Sequence, residues 1–284
     1  MKQRRIGTRT VSAIGLGAMP MSVREHNDEE RAIRTIACAL DEGVTLIDTA
    51  DAYSPDEATF GHNEALIAKA LREYGVGPDD VLVATKGGHT RRGADWELDG
   101  TAAYLRKACL ASMERLGVEQ IALYQHHRPD PKIDYAETVA GLKALLDEGL
   151  IAGAGLSNAN PEQIRLAHRE LGEGLVAVQN QFSPSFRSSR DEIDLCAELG
   201  IAFLAWSPLG GMGKAGGLGS EWEAFGRVAE KHGVSPQQVC LAWELSLSEA
   251  MIPIPGASRP ESVADSAAAV HLELDDEDLA LLGR

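Results

Sequence analysis

The sequence predicts an α/β protein, a closed (β/α)8 or TIM barrel with a short N-terminal β-hairpin and extra helices, forming a single domain over residues 1–284. Three observations lead there. Eight short apolar runs recur along the chain, most of them lead into a segment with helical spacing, and no linker or composition shift divides them. Strands with little polar alternation are buried on both faces, which is how parallel sheets read. Strand–helix alternation repeated eight times favours the closed barrel over its competitor, an open doubly wound sheet.

The elements follow in order. QRRIGTRTVSA fits a hairpin turning near Gly7 and Thr8, before the first run AIGLGAM at 13–19. Its Gly15-Leu16-Gly17 turn lacks the third glycine of a dinucleotide fingerprint and no helix follows at once, so it reads as a tight turn at a barrel mouth. Next, DEERAIRTIACALDEG has Asp28 as an N-cap, apolar residues at Ile33, Ile36, Ala37 and Leu40, and a stop at Gly43. VTLIDTA (44–50) and VLVATK (81–86) follow, then a helix opening at Thr101 and stopping at Gly117, then IALYQHH (121–127). YAETVAGLKALLDEG carries apolar positions at three- and four-residue intervals, ahead of IAGAGLSN at 151–158. Pro161 after Asn160 marks the first turn of another helix. LVAVQNQ (175–181), IAFLAWS (201–207) and MIPIPGAS (251–258) complete the eight runs, with SPQQVCLAWELSL and RPESVADSAAAVHL as late helices and LDDEDLALLG as a final surface helix.

Bulk properties narrow the function. The 284 residues are 44% hydrophobic and 25% charged, an ordinary globular mix. A net charge of −16 argues against nucleic acid or an anionic membrane as partner. The N-terminus lacks the apolar core of a signal peptide, and no window reaches the length of a membrane span. Cys38, Cys109, Cys196 and Cys240 are far apart and read as buried thiols of a cytoplasmic protein. No ligand spacing supports a metal near Asp48, Asp51 and a histidine, so none is expected.

Barrel enzymes place their chemistry at the C-terminal strand ends. That edge gathers Asp48 and Tyr53 after run two, Lys86 after run three, and His126-His127 at run four. Ser157-Asn158, Gln179-Asn180, Trp206-Ser207 and Gly256 to Arg259 follow at runs five to eight. Aspartate, tyrosine, lysine and histidine around one cavity suit proton transfer to a carbonyl oxygen. A free tyrosine ionises near a pKa of about 10; a lysine cation beside it favours tyrosinate, and a buried aspartate keeps that lysine charged. Such a set serves reduction, in which hydride reaches carbon and a proton reaches oxygen. Lys86 alone would also fit a Schiff-base lyase. His126 and His127 alternate along a strand, so one faces the mouth and the other packs outward against a helix.

These motifs in order, GLGAM, LIDTADAY, ATK, LYQHHRPD, GLSN, VQNQFSP, AWSPLG and IPIPGA, make the chain resemble the aldo-keto reductase superfamily over nearly its whole length. Any one could arise by chance; the ordered set is far more specific. The resemblance implies a barrel enzyme that reduces aldehydes and ketones to alcohols, reversibly, with NADPH, NADH being the alternative. It implies Tyr53 as general acid, tuned by Lys86 and Asp48, with His127 as the catalytic histidine and His126 a neighbour. It places the nicotinamide carboxamide at Ser157, Asn158 and Gln179, the ring against Trp206, and further cofactor contacts at Gly17 and Ala18. Ser207, Pro208, Leu209 and Gly211 would lie along the pyrophosphate, where glycine-rich backbone approaches phosphate closely. Gly256, Ser258, Arg259, Ser262 and Asp265 correspond to the adenine end, where the chain departs from pattern: Ser262 stands at the usual arginine position, and Asp265-Ser266 replace a Glu-Asn pair.

The expected partner is a small carbonyl compound, apolar or aromatic if Met19, Met21, Trp96, Arg128 and Phe182 line the pocket; the chain itself is expected as a monomer or small homo-oligomer. A second class is a nicotinamide-binding regulatory subunit with little turnover, since relatives in this superfamily partner with membrane channels.

Overall fold

The computed structural model describes residues 1–23, 28–93 and 95–283. Twelve strands are present among the described residues: β1 (Gln3–Ile6), β2 (Arg9–Ser12), β3 (Leu16–Gly17), β4 (Leu46–Asp48), β5 (Leu82–Gly87), β6 (His89–Arg92), β7 (Asp95–Leu98), β8 (Leu123–His126), β9 (Ala154–Ser157), β10 (Leu175–Gln181), β11 (Ala202–Trp206) and β12 (Met251–Pro253). The helices are α1 (Glu29–Asp41), α2 (His62–Tyr74), α3 (Ala102–Leu116), α4 (Tyr135–Asp147), α5 (Pro161–Leu171), α6 (Arg190–Leu199), α7 (Leu218–Glu221), α8 (Glu223–His232), α9 (Pro236–Leu247), α10 (Pro260–Ala268) and α11 (Asp276–Leu282).

Eight of the strands form one parallel sheet in the order β12-β11-β10-β9-β8-β5-β4-β3. Its edges meet. Gly15 N donates to Pro253 O at 2.9 Å, Gly17 N to Pro255 O at 3.0 Å, and Gly17 bridges Gly256 in parallel. The (β/α)8 barrel is therefore the observed fold, and each of the eight expected runs overlaps one of its strands. Apart from β5 and β10 the strands are shorter than the runs, most at the seam, where β3 keeps two residues and β12 three. Pro253 and Pro255 flank the end of β12 and carry no N–H for a ladder.

The helix signals act as read. The Asp28 carboxylate accepts from Arg31 N and Thr101 Oγ1 from Tyr104 N. Asn160 and Gln163 form a reciprocal capping box at α5. Gly43 and Gly117 adopt positive φ at their helix ends. The N-terminal hairpin also forms, pairing Gln3 with Ser12. It plugs the barrel floor, since Ile6 and Val11 pack with Leu46, Leu82, Leu123, Leu204 and Ile252 from the strands. Gly7 turns it at φ +57, and a Cβ there would come within 2.8 Å of Val176. A larger apolar layer lies between the barrel and its helices, where Leu142, Leu156, Val178, Phe203 and Trp243 are essentially inaccessible. Each such side chain contributes roughly 1.5–3 kcal/mol on burial.

Helices α2, α6, α7 and α8 and one hairpin had no individual counterpart among the segments read from the sequence. β6 and β7 form an antiparallel hairpin after β5, with His89 opposite Leu98 and Arg91 opposite Trp96. Its residues, HTRR and DWEL, are mostly polar and lack the apolar run by which the barrel strands are legible. Among the described residues, no helix is long and apolar enough to cross a membrane.

Candidate active site

The C-terminal strand ends surround a cavity of about 480 Å³. Of the site residues named from the sequence, sixteen line it: Gly17, Asp48, Tyr53, His127, Ser157, Asn158, Gln179, Trp206, Ser207, Pro208, Leu209, Gly211, Gly256, Ser258, Arg259 and Ser262. Lys86 stands behind them, fully buried, and Ala18 is a buried backbone neighbour whose N–H donates to Asp48 O. Asp265 does not line the cavity. Its two carboxylate oxygens accept from Ser235 Oγ and Gln238 Nε2, so it ties α10 to the start of α9.

β4 delivers Asp48 and the loop beyond it delivers Tyr53, while β5 delivers Lys86 from the adjacent strand. The Lys86 ammonium donates to Asp48 Oδ2 at 2.6 Å, to Thr49 O at 2.8 Å and to Tyr53 Oη at 3.2 Å. Burial alone would lower the Lys86 pKa; the Asp48 carboxylate and the Tyr53 oxygen outweigh it and hold that pKa above the ordinary lysine value. A lysine so held stays charged and has no free lone pair, so the Schiff-base alternative loses its nucleophile. Asp48 Oδ1 in turn accepts from Gln179 Nε2 at 2.7 Å.

Lys86 acts on Tyr53 in the expected direction, towards ionisation, but burial outweighs it. Burial raises the Tyr53 pKa above 10, and the lowering by Lys86 only offsets part of this. The phenol is therefore a protonated donor at neutral pH. His127 lies edge-on to Tyr53, ring centroids 5.6 Å apart. Burial first, then the Lys86 cation, depress the His127 pKa well below 6.5, so the ring is neutral. Its Nδ1 is buried without a partner, leaving Nε2 as the nitrogen that can serve the cavity. His126 points the other way, as strand alternation requires: it is inaccessible, packs 5.8 Å from Tyr135 of α4, and burial pushes it down to about 4.

Backbone strain concentrates on one side of the cavity. Asn158 (φ 59) and Ser207 (φ 53) are the non-glycine residues in the left-handed region among those described, a conformation that costs about 1–3 kcal/mol and persists where the surroundings impose it. The Asn158 amide donates to His127 O and Ser157 Oγ, which links β8 and β9 at the rim. After Ser207, Gly210, Gly211 and Gly213 also take positive φ, and a Cβ on Gly213 would meet nothing within 4 Å. Gly211 and Gly213 of this loop line the cavity, and the Trp206 indole N–H is buried without a partner. Hydroxyl, amide, indole and glycine backbone in this order fit a nicotinamide dinucleotide, with Arg259 and Ser262, 3.3 Å apart, at its far end.

The opposite side belongs to residues of which only some were anticipated. Met19, Trp96 and Arg128 line the cavity. Met21 and Phe182 do not: Met21 is buried under α1, and Phe182 stacks on Trp243 in the core, centroids 5.7 Å apart. His89 was missed. It lines the cavity with its ring centroid 4.4 Å from that of His127 and 5.2 Å from that of Trp96. Its signal in the sequence, a histidine three residues past Lys86, carried no weight without the β6–β7 hairpin that turns it inward.

The chain matches the profile of the Aldo/keto reductase family over residues 13–283. A protein of Glycine max described as probable aldo-keto reductase 1 is 34% identical over 300 residues, covering 95% of this chain and 84% of that protein. Among solved structures, an aldo/keto reductase from Klebsiella pneumoniae in complex with NADP and acetate superposes with a TM-score of 0.84 at 27% identity, covering 99% of this chain and 94% of that one. The glycerol dehydrogenase of Gluconobacter oxydans is similar at the same TM-score, 0.84, and 27% identity, over 99% of this chain and 93% of that one. This barrel, with its buried lysine between an aspartate and a tyrosine, belongs to the aldo/keto reductase family.

Proposed function

We propose that this protein is an NADP(H)-dependent carbonyl reductase, a cytoplasmic single-domain enzyme that interconverts an aldehyde or ketone and its alcohol. The observation that carries this reading is the fully buried Lys86, donating at once to Asp48 and Tyr53 at the wall of the cavity. Ser207–Gly213 and Arg259 would hold NADPH, which would supply the hydride, a choice supported by the NADP complex of the Klebsiella pneumoniae relative.

The residues divide the remaining work. Ser157, Asn158, Gln179 and Trp206 orient the nicotinamide against the substrate. The Tyr53 hydroxyl donates a hydrogen bond to the carbonyl oxygen, and neutral His127 donates a second from Nε2. As the oxygen gains negative charge, Tyr53 transfers its proton to it, and the phenolate left behind is stabilised by the Lys86 ammonium 3.2 Å away. Asp48 holds that ammonium in place. In the oxidation direction the same phenolate accepts the alcohol proton.

Purified protein should consume NADPH when given an aldehyde, read as loss of absorbance. Tyr53→Phe should lower kcat by about 10²–10⁴-fold while cofactor binding persists. A Tyr53→Phe rate near wild type would overturn the mechanism.

A further inference from the structure

Among the described residues that line the cavity after β5 and β8, Arg128 is the one that carries a formal charge, and the reading of the site as a carbonyl reductase leaves it without a task. It directly follows His127, is exposed, and lines the cavity. Among the described residues no carboxylate pairs with it, whereas the cavity-lining Asp48 is committed to Lys86. Its place in the barrel sets it apart from the cofactor phosphates. β8, which carries it in, lies three strands from β11 and four from β12 in the sheet order, about halfway round the barrel. The glycine loop and Arg259 follow those two strands, so a phosphate held there is across the mouth from Arg128. In a chain of net charge −16, an unpaired guanidinium at a cavity mouth is a local reversal of sign.

The wall beside it is aromatic. His127, His89 and Trp96 follow one another edge to face, at 4.4 Å and 5.2 Å between ring centroids. The Arg91 guanidinium lies 3.7 Å over the Trp96 ring and braces it from the far side. Burial holds both histidines neutral at neutral pH, His89 down to about 4, so they add no second charge. Around one cavity the protein thus sets a proton donor, a run of rings and a planar cation.

We propose that Arg128 is a specificity-determining residue and that the substrate is an aromatic aldehyde bearing a carboxylate on the side of the ring away from the carbonyl. The guanidinium takes that carboxylate through paired N–H groups, a geometry that lysine does not reproduce. The inference rests on the reductase reading for the reaction, but not for the binding.

Two comparisons test it, each as a ratio within one protein so that a partly misfolded variant does not distort the result. The first is kcat/KM for 4-formylbenzoate relative to its neutral methyl ester. Wild type should favour the acid about tenfold through KM, which is about 1.4 kcal/mol; Arg128→Ala should bring the ratio near one, and Arg128→Lys should fall between. The second is calorimetric affinity of the cofactor-free protein for 4-carbamoylbenzoate relative to its neutral diamide, terephthalamide. Wild type should favour the anion about tenfold, the preference should shrink with added salt, and Arg128→Ala should abolish it. A wild-type ratio near one, or a ratio that Arg128→Ala leaves unchanged, would sink the proposal. If neither aldehyde is reduced yet the preference for the anion depends on Arg128, the reductase reading fails and the anion subsite stands.

Discussion

Burial moves the pKa of Tyr53 up and of His127 down, while the partners of Lys86 raise its pKa against burial, and the directions set the pH behaviour. In the proposed mechanism reduction needs the proton on Tyr53, whose pKa is raised above 10 by burial. Reductive kcat/KM should therefore hold steady through neutral pH and fall only in the alkaline range, while alcohol oxidation, which needs the phenolate, rises in that range. His127, depressed well below 6.5, adds no acid limb near neutrality. A reductive rate that halves between about pH 7 and 8 would contradict the protonated phenol. Lys86→Met removes the cation and leaves Asp48 buried without its partner, a loss of about 3–5 kcal/mol in stability alongside the loss of activity; a melting curve and a rate assay read the two separately. Glu244 gives the opposite case. Its carboxyl is inaccessible, neither oxygen has a partner, and burial raises its pKa well above 4.5. The folded state then holds a proton that the unfolded chain releases above pH 4.5, so its contribution is full below that pH and is lost as pH rises. Glu244→Leu should raise Tm at pH 8 and have a smaller effect at pH 5; an equal shift at both would refute this account.

The seam where β3 meets β12 is closed by the isolated Gly17–Gly256 bridge and the bonds from Gly15 and Gly17. Gly17 makes the approach possible, since a Cβ on it would sit 2.8 Å from Ile254 O. Gly17→Ala must push backbone against backbone and should cost about 1–3 kcal/mol, measured as a lower denaturant midpoint. Gly7, by contrast, is needed for its positive φ as well as its size. The β6–β7 hairpin shows how an element can matter to the site without announcing itself. Its strands bury little apolar surface, yet it carries His89 and Trp96 to the cavity. Barrel strands and capped helices were legible because apolar runs and Asp28, Thr101 and Asn160 signal them locally. A polar hairpin held by Arg91 against Trp96 has no such period to read.

For the molecule as a whole, the proposed function assigns the side of the cavity following β9 to β12 to the cofactor and the side following β5 and β8 to the substrate. NADPH binding to the folded state alone should stabilise it by about 2.7 kcal/mol at a concentration one hundred times Kd, seen as a rise in Tm. Arg259→Ala should weaken NADPH at least about tenfold, or 1.4 kcal/mol, and NADH far less, because a planar cation suits the extra phosphate. Equal losses for both cofactors would show that Arg259 does not read that phosphate.

The sequence by itself determined the barrel and most of its functional rim. Eight apolar runs and the residues that end them are local properties, and the closed sheet puts strand ends on one circle without further information. Asp48, Tyr53, Lys86 and His127 converge for that reason. Tertiary structure alone decided what surrounds them. It turned Asp265 to Ser235 and Gln238, sent Met21 and Phe182 into the core, brought His89 beside His127, and left Arg128 unpaired at the mouth. It also set the protonation of Tyr53, since the contest between its burial and the Lys86 cation depends on distances and exclusion of water that no residue spacing encodes.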